Sequence, residues 1–190
     1  MKRKWKLWMI AFVVFVMTDI MMQSNRAEAK KRTFTVSSKT IPCSSSYRQK
    51  PYYNKKTKQY YMINSYMRRL STTGGTLKLK KGTYKIPGTI YVPSNVKIVC
   101  ANGVKIKKTK ATGTKKVKST KFLFQMISEE KASGKQNTGK YAASKNASIQ
   151  GNGKVIFDMG NVNGATAVFV GHASGITVSG VRFRNKKGGS

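Results

Sequence analysis

GGTLKLKKGTYKIPGTIYVPSNVKIVCANGVKIKK, residues 74–108, is the stretch whose reading decides the fold. Leu77 and Leu79 alternate with Lys78 and Lys80. Tyr84 and Ile86 flank Lys85, and Ile90 and Val92 follow. Val96, Ile98 and Cys100 form the next alternating set, then Val104 and Ile106. Apolar residues at a spacing of two lie in one row on one face of a strand. Residues that turn the chain cheaply stand between the sets: Gly82, Pro87-Gly88, Pro93-Ser94-Asn95 and Asn102-Gly103. The predicted strands are about three to five residues long, with corners between them. A sandwich spaces its turns at roughly 8–12 residues. The faster rhythm here predicts a coil that turns a corner every few residues, a β-solenoid.

The pattern returns as ASIQGNGKVIFDMG at residues 147–160 and as AVFVGHASGITVSGVRFRN at residues 167–185. Together with GGT-LKLKKGTYKI, TIYVPSNVKI and NGVKIKK, these segments resemble the entry coils of the pectate lyase-like superfamily, in particular secreted polygalacturonase-like proteins. The resemblance runs from about Gln59 to the end of the sequence. It implies an all-β, right-handed, single-stranded parallel β-helix, with a short N-terminal helix covering the open end of the coil. It also implies a carbohydrate-active protein acting on acidic, pectin-like polysaccharide.

Composition narrows the partners. Among 190 residues there are 38 Lys and Arg against 5 Asp and Glu, a formal net charge of +33. Such a surface repels itself and attracts polyanions. The charge leaves acidic polysaccharide, anionic cell wall, nucleic acid and an acidic membrane as candidates; with the resemblance, an acidic polysaccharide or cell-wall polyanion is the expected partner, and no specific nucleic acid is expected. Basic composition by itself is the plainer explanation and stands beside it. A hydrophobic content of 39% in regular alternation argues against wholesale disorder.

Residues 1–29 read as a secretory signal. Lys2, Arg3, Lys4 and Lys6 make a basic start, an apolar run follows, and Ala27-Glu28-Ala29 fits a cleavage site. The expectation is a secreted protein cut after Ala29, meeting the membrane only through that segment during export. An uncleaved anchor is the alternative, disfavoured because Thr18 and Asp19 interrupt the run. Residues 30–56 read as a basic linker or arm, and residues 57–190 as the N-terminal part of the β-helix domain. A helix is predicted over residues 57–73: Tyr60, Ile63, Met67 and Leu70 share one face, Thr57 serves as N-cap and Gly74 as terminator. Residues 109–121 and 128–145 read as polar insertions, the kind of loop that often binds. Asn95, Asn146 and Gly175 open comparable segments of successive coils. The strand-like end at Val181-Arg182-Phe183 has no polar cap after it, so the chain reads as an incomplete solenoid or gene fragment.

Little in the sequence supports catalysis. A glycoside hydrolase needs two carboxylates, and beyond residue 29 there are only Glu129, Glu130 and Asp158. Asp158 matches a position that the resemblance implies is structural. Glu129 and Glu130 are adjacent and point apart. Three acids cannot readily supply the six to eight oxygens of a Ca²⁺ site, so neither metal nor cofactor is expected. His172, the single histidine, has no carboxylate near it in sequence to orient it as a base or ligand, and the resemblance implies a turn between coils at Gly171-His172-Ala173. Cys100 lies in phase with Val96 and Ile98 and is expected buried and free. A bridge to Cys43 remains the alternative. Tyr60-Tyr61 reads as core, with sugar stacking as the other reading. Catalytic residues are therefore not assigned. The candidate polyanion-binding residues are the basic ones out of phase with the apolar rows: Lys78, Lys80, Lys97, Lys105, Lys107, Lys154, Arg182 and Arg184. Stacked strands would align them into ladders about 4.8 Å apart, although outward Lys is also the ordinary way to keep a strand soluble. A non-catalytic binding or adhesive β-helix is thus the alternative to an enzyme fragment.

Overall fold

The computed structural model describes residues 32–134, 143–160 and 162–185. The predicted signal segment lies outside the described residues. Among the described residues there are twelve strands: β1 (Arg32–Val36), β2 (Gly75–Leu79), β3 (Gly82–Ile86), β4 (Ile90–Tyr91), β5 (Val96–Cys100), β6 (Val104–Lys108), β7 (Phe122–Gln125), β8 (Ser148–Gly151), β9 (Ile156–Asp158), β10 (Thr166–Phe169), β11 (Thr177–Ser179) and β12 (Arg182–Arg184). The described residues also form three helices: α1 (Ser45–Arg48), α2 (Lys58–Leu70) and α3 (Glu129–Ser133).

The strands form three sheets, and every pairing is parallel. The first sheet has the order β1-β2-β5-β8-β11, the second β3-β6-β9-β12 and the third β4-β7-β10. From β2 onward the chain visits the first, second and third sheets in turn and then begins again. The strand predictions from residues 74–108 therefore hold, and the chain is mostly β with parallel strands.

The register explains the core. Phe34, Leu77, Ile98, Ile149 and Val178 are aligned across the first sheet. Tyr84, Ile106, Phe157 and Phe183 are aligned across the second. Ile90, Phe124 and Val168 are aligned across the third. Leu77, Ile98, Ile149, Tyr84, Ile106, Phe157, Ile90 and Phe124 are all essentially buried in one cluster. Alternation of period two sends these rows inward and leaves the Lys rows outside.

One corner recurs at the entrance to the first sheet. Gly74, Asn95, Asn146 and Gly175 all have φ between 53° and 65°. Their backbones also stack: the amide of Gly75 donates to the Asn95 carbonyl at 3.0 Å, and that of Asn95 to Lys145 at 2.9 Å. Only Gly and, at small cost, Asn adopt this left-handed conformation readily. The Asn and Gly residues that marked comparable points in the sequence are thus required by the backbone.

Helix α2 packs against β2, β3 and β4 through Met62, Ile63, Met67 and Leu70. Its C-terminus ends at Gly74, whose amide donates to the Leu70 carbonyl at 2.8 Å. Thr57 occupies the N-cap position, but its hydroxyl does not cap the helix. It donates to the Tyr52 carbonyl at 2.7 Å and accepts from the Asn54 amide at 2.9 Å, closing the preceding turn instead.

Within the segment read as an arm, residues 32–56, the chain is ordered into the same fold. Strand β1 pairs with β2 in full register, because Phe34 and Val36 extend the inward rows. Tyr47 on α1 is buried against Tyr61. Polar composition concealed an edge strand whose inward positions are few. At the other end, β10, β11 and β12 each stand last in their sheets among the described residues, and Phe169 and Phe183 are exposed there.

Candidate functional site

The outer face of the second sheet carries a cleft of about 410 Å³. It is lined by Lys105, Lys107 and the backbone around Lys108 on β6, by Asp158 and Gly160 at β9, by Arg184 on β12, and by Thr109 to Ala111 of the following loop. Strand register builds it. Lys107 faces Asp158 across β6 and β9, and Arg184 faces Asp158 across β9 and β12. Lys105 is paired with Ile156, and its Nζ reaches diagonally to Asp158 Oδ2 at 2.9 Å. Residues widely separated in sequence thereby converge on one carboxylate.

Asp158 is held from two sides. Its Oδ1 accepts from the Gly160 amide at 2.9 Å, the side-chain turn anticipated for this residue. Burial pushes its carboxyl pKa up. The hydrogen bonds from Lys105 and Gly160 and the charges of Lys105 and Arg184 outweigh this, so the value lies below the usual carboxylate range. Asp158 is therefore ionised near neutrality. It offsets one cation, and Lys107, Lys110 and Arg184 remain as surplus positive charge around the opening.

Three of the eight candidate residues, Lys105, Lys107 and Arg184, line this cleft. The others lie elsewhere. Lys78 and Lys97 are exposed on the first sheet, where their register neighbours are Thr35 and Val99, and Thr76 and Ser148. The continuous basic ladder expected on that face is interrupted by these residues. Lys80 follows the end of β2, and Lys154 sits at the corner between β8 and β9. Arg182 is exposed on β12, beside Ile156.

The other two acids among the described residues are engaged outside this cleft. Glu129 accepts a hydrogen bond from the Tyr47 hydroxyl, and Glu130 pairs with Arg68 Nε at 3.4 Å. Burial and the Glu129 carboxylate both raise the Tyr47 pKa. Tyr61 is buried among Tyr47, Tyr52, Tyr53 and Tyr60, which accords with packing rather than an open stacking platform. Lys50 Nζ lies over the rings of Tyr47, Tyr52 and Tyr61 at 5.1, 5.8 and 5.7 Å. His172 is exposed at a corner with φ 56°, and its carbonyl accepts from Ala143 at 3.2 Å. Both thiols are free: Cys100 is buried, its pKa pushed to about 12 by burial, and the Cys43 thiol donates to the Ser65 carbonyl at 3.3 Å. Among the described residues no three His, Cys, Asp or Glu side chains are grouped to hold a metal. Nor is any described helix long and apolar enough to cross a membrane.

One residue that the sequence reading passed over is Lys108. It is 1% exposed, at the inward position of β6 that pairs with Ile86. Its Nζ contacts four oxygens: Pro87 O at 3.1 Å, Gly88 O at 2.5 Å, Thr120 Oγ1 at 3.0 Å and Phe122 O at 2.7 Å. Burial lowers its pKa to about 7, and the surrounding oxygens work against that shift by favouring the charged form. The signal was present in VKIKK: counting by twos from Val104 and Ile106 reaches Lys108, so a lysine stands in an apolar phase.

Compared with known proteins, the chain matches no family model, no curated protein and no solved structure. What the cleft can do follows from its own atoms. It offers several ammonium and guanidinium donors on a rigid sheet, and a single ionised carboxylate already committed to Lys105. That arrangement suits retention of an anion better than proton transfer between two acids.

Proposed function

We propose that this chain is an exported, right-handed parallel β-helix of the pectate lyase-like kind that binds acidic polysaccharide without cleaving it. The observation that carries this reading is the convergence of Lys105, Lys107 and Arg184 around Asp158 on one sheet face, with Lys110 of the adjoining loop lining the same cleft. The cyclic order of the three parallel sheets supports the β-helix part. The engagement of Glu129 by Tyr47 and of Glu130 by Arg68, outside the Asp158 cleft, supports binding over hydrolysis. A uronate polymer presents carboxylates along an extended chain, and cations spaced along a sheet can meet more than one of them.

The test is titration with polygalacturonate at low and high salt, with a neutral glucan as control. Binding should weaken steeply with salt, because lysines neutralising a polyanion release its counterions. That relation is established for nucleic acids and is carried over by analogy. Changing Lys107, Lys110 and Arg184 together to Gln should reduce affinity at least tenfold, more than changing Lys78, Lys80 and Lys97 together. Equal losses from the two triples would remove the cleft as the site. Release of reducing ends or unsaturated sugars by the purified chain, abolished by Asp158→Asn, would overturn the claim that it does not cleave.

A further inference from the structure

We propose that the oxygens of Pro87, Gly88, Thr120 and Phe122 form a monovalent-cation site that the chain fills with its own Lys108 ammonium, and that this tethered cation fixes the end of the 109–121 loop. Two separate stretches of the chain supply the oxygens, three of them carbonyls and one the Thr120 hydroxyl. Pro87 and Gly88 form the corner between β3 and β4, while Thr120 and Phe122 lie where the loop enters β7. Lys108 reaches both from the end of β6, at contacts of 2.5 to 3.1 Å.

Several features separate this from an ordinary lysine contact. The position is in register with Ile86, so the local pattern would accept an apolar side chain. None of the described carboxylates is among the partners of Nζ, and its charge is met only by neutral oxygens. Rings of carbonyl oxygens that replace a hydration shell are how proteins hold potassium, and an ammonium presents the same charge with directed donors. Two hydroxyls tune the cradle: Thr89 Oγ1 lies 2.8 Å from Thr120 Oγ1 and donates to Phe122 O at 3.2 Å. Without a cation at its centre, the cradle would lose its one charged donor, and the two corners would be joined only by the Thr120 amide to Pro87 O at 3.0 Å and by the Thr89 and Thr120 hydroxyls. The loop so anchored carries Lys110, which lines the cleft, but the inference does not depend on what the cleft binds.

The experiment is chemical rescue at pH 6, where Lys108 is charged. Lys108→Ala should lower Tm by several degrees and speed tryptic cutting of the loop after Lys110, Lys115, Lys116 and Lys118. n-Propylammonium, which supplies the three methylenes and the ammonium that the substitution removes, should recover at least half of the lost Tm. Potassium should recover a smaller part. Tetramethylammonium, at the same ionic strength, has no N–H donor and should act no differently on the variant than on the wild type. Equal effects of all three salts, or a variant as stable as the wild type, would overturn the proposal. Should Lys108→Ala not fold, the wild-type protein still decides the matter. A ¹⁵N-lysine spectrum should show one ammonium whose protons exchange slowly and couple to Thr120 and Phe122. Uniformly fast exchange would exclude a caged cation.

Discussion

Asp158 serves two purposes, and the charge and the shape of its side chain can be separated. Asp158→Asn keeps an oxygen for the Gly160 amide but removes the partner of Lys105. The carboxylate is buried and Lys105 is one-third exposed, so the pair should be worth about 1–2 kcal/mol, between the surface and buried cases. Urea denaturation at pH 7 should show a loss of that size. The sign of its pH dependence follows from the lowered pKa. The stabilisation is fully present above the ordinary carboxylate range, near pH 4, and is lost as acid carries the solution down through the folded-state value. The gap between wild type and variant should therefore be constant near neutrality and close in acid. The same variant frees Lys105 and removes a competing anion, so affinity for polygalacturonate should rise about threefold, by the scale of a single exposed ionic contact. Weaker binding by Asp158→Asn would show that Asp158 helps to hold the ligand.

At the scale of elements, the first-sheet corner and the inward rows make different demands. Asn146 is exposed, with φ 53°, and stacks between Asn95 and Gly175. Asn146→Gly should be nearly neutral in thermal denaturation, whereas Asn146→Val should cost about 1–2 kcal/mol because a β-branched residue is strained there. Ile98 illustrates the other demand. It lies between Leu77 and Ile149 in the register and is 1% exposed. Ile98→Asp would bury a charge without a partner and should cost roughly 4 kcal/mol or more. A wild-type melting temperature for that variant would contradict its inward position. Helix α2 belongs to the same scale, since its row of Met62, Ile63, Met67 and Leu70 covers apolar side chains of β2, β3 and β4.

For the whole molecule the dominant quantity is the net charge of +33. Like charges on one surface oppose the compact state and attract polyanions. Added salt screens both effects over a distance of about 10 Å at 0.1 M. Moderate sodium chloride should thus raise the melting temperature while lowering affinity for polygalacturonate. Scanning calorimetry and binding titration over one salt series check the opposed signs. If both fell together, the charge would not be governing the fold in the way its magnitude suggests.

The alternation of Leu77, Ile98, Ile106 and Ile149 with Lys and polar residues was sufficient to locate strands and inward positions, because the period of two is a property of the local backbone. Asn95, Asn146 and Gly175 were legible as corners for the same reason, since a left-handed φ restricts the residue that occupies it. Lys105, Lys107 and Arg184 were legible as outward basic residues, but not as neighbours. Their meeting at Asp158 depends on which strands lie side by side, and that is set by the lengths of the corners and loops between them. The role of β1 was hidden because an edge strand in a polar segment gains its order from the sheet beside it. Lys108 was the hardest case. Its phase was visible in the sequence, but a lysine can be buried only where oxygens converge, and those of Pro87, Gly88, Thr120 and Phe122 are brought together by tertiary structure alone.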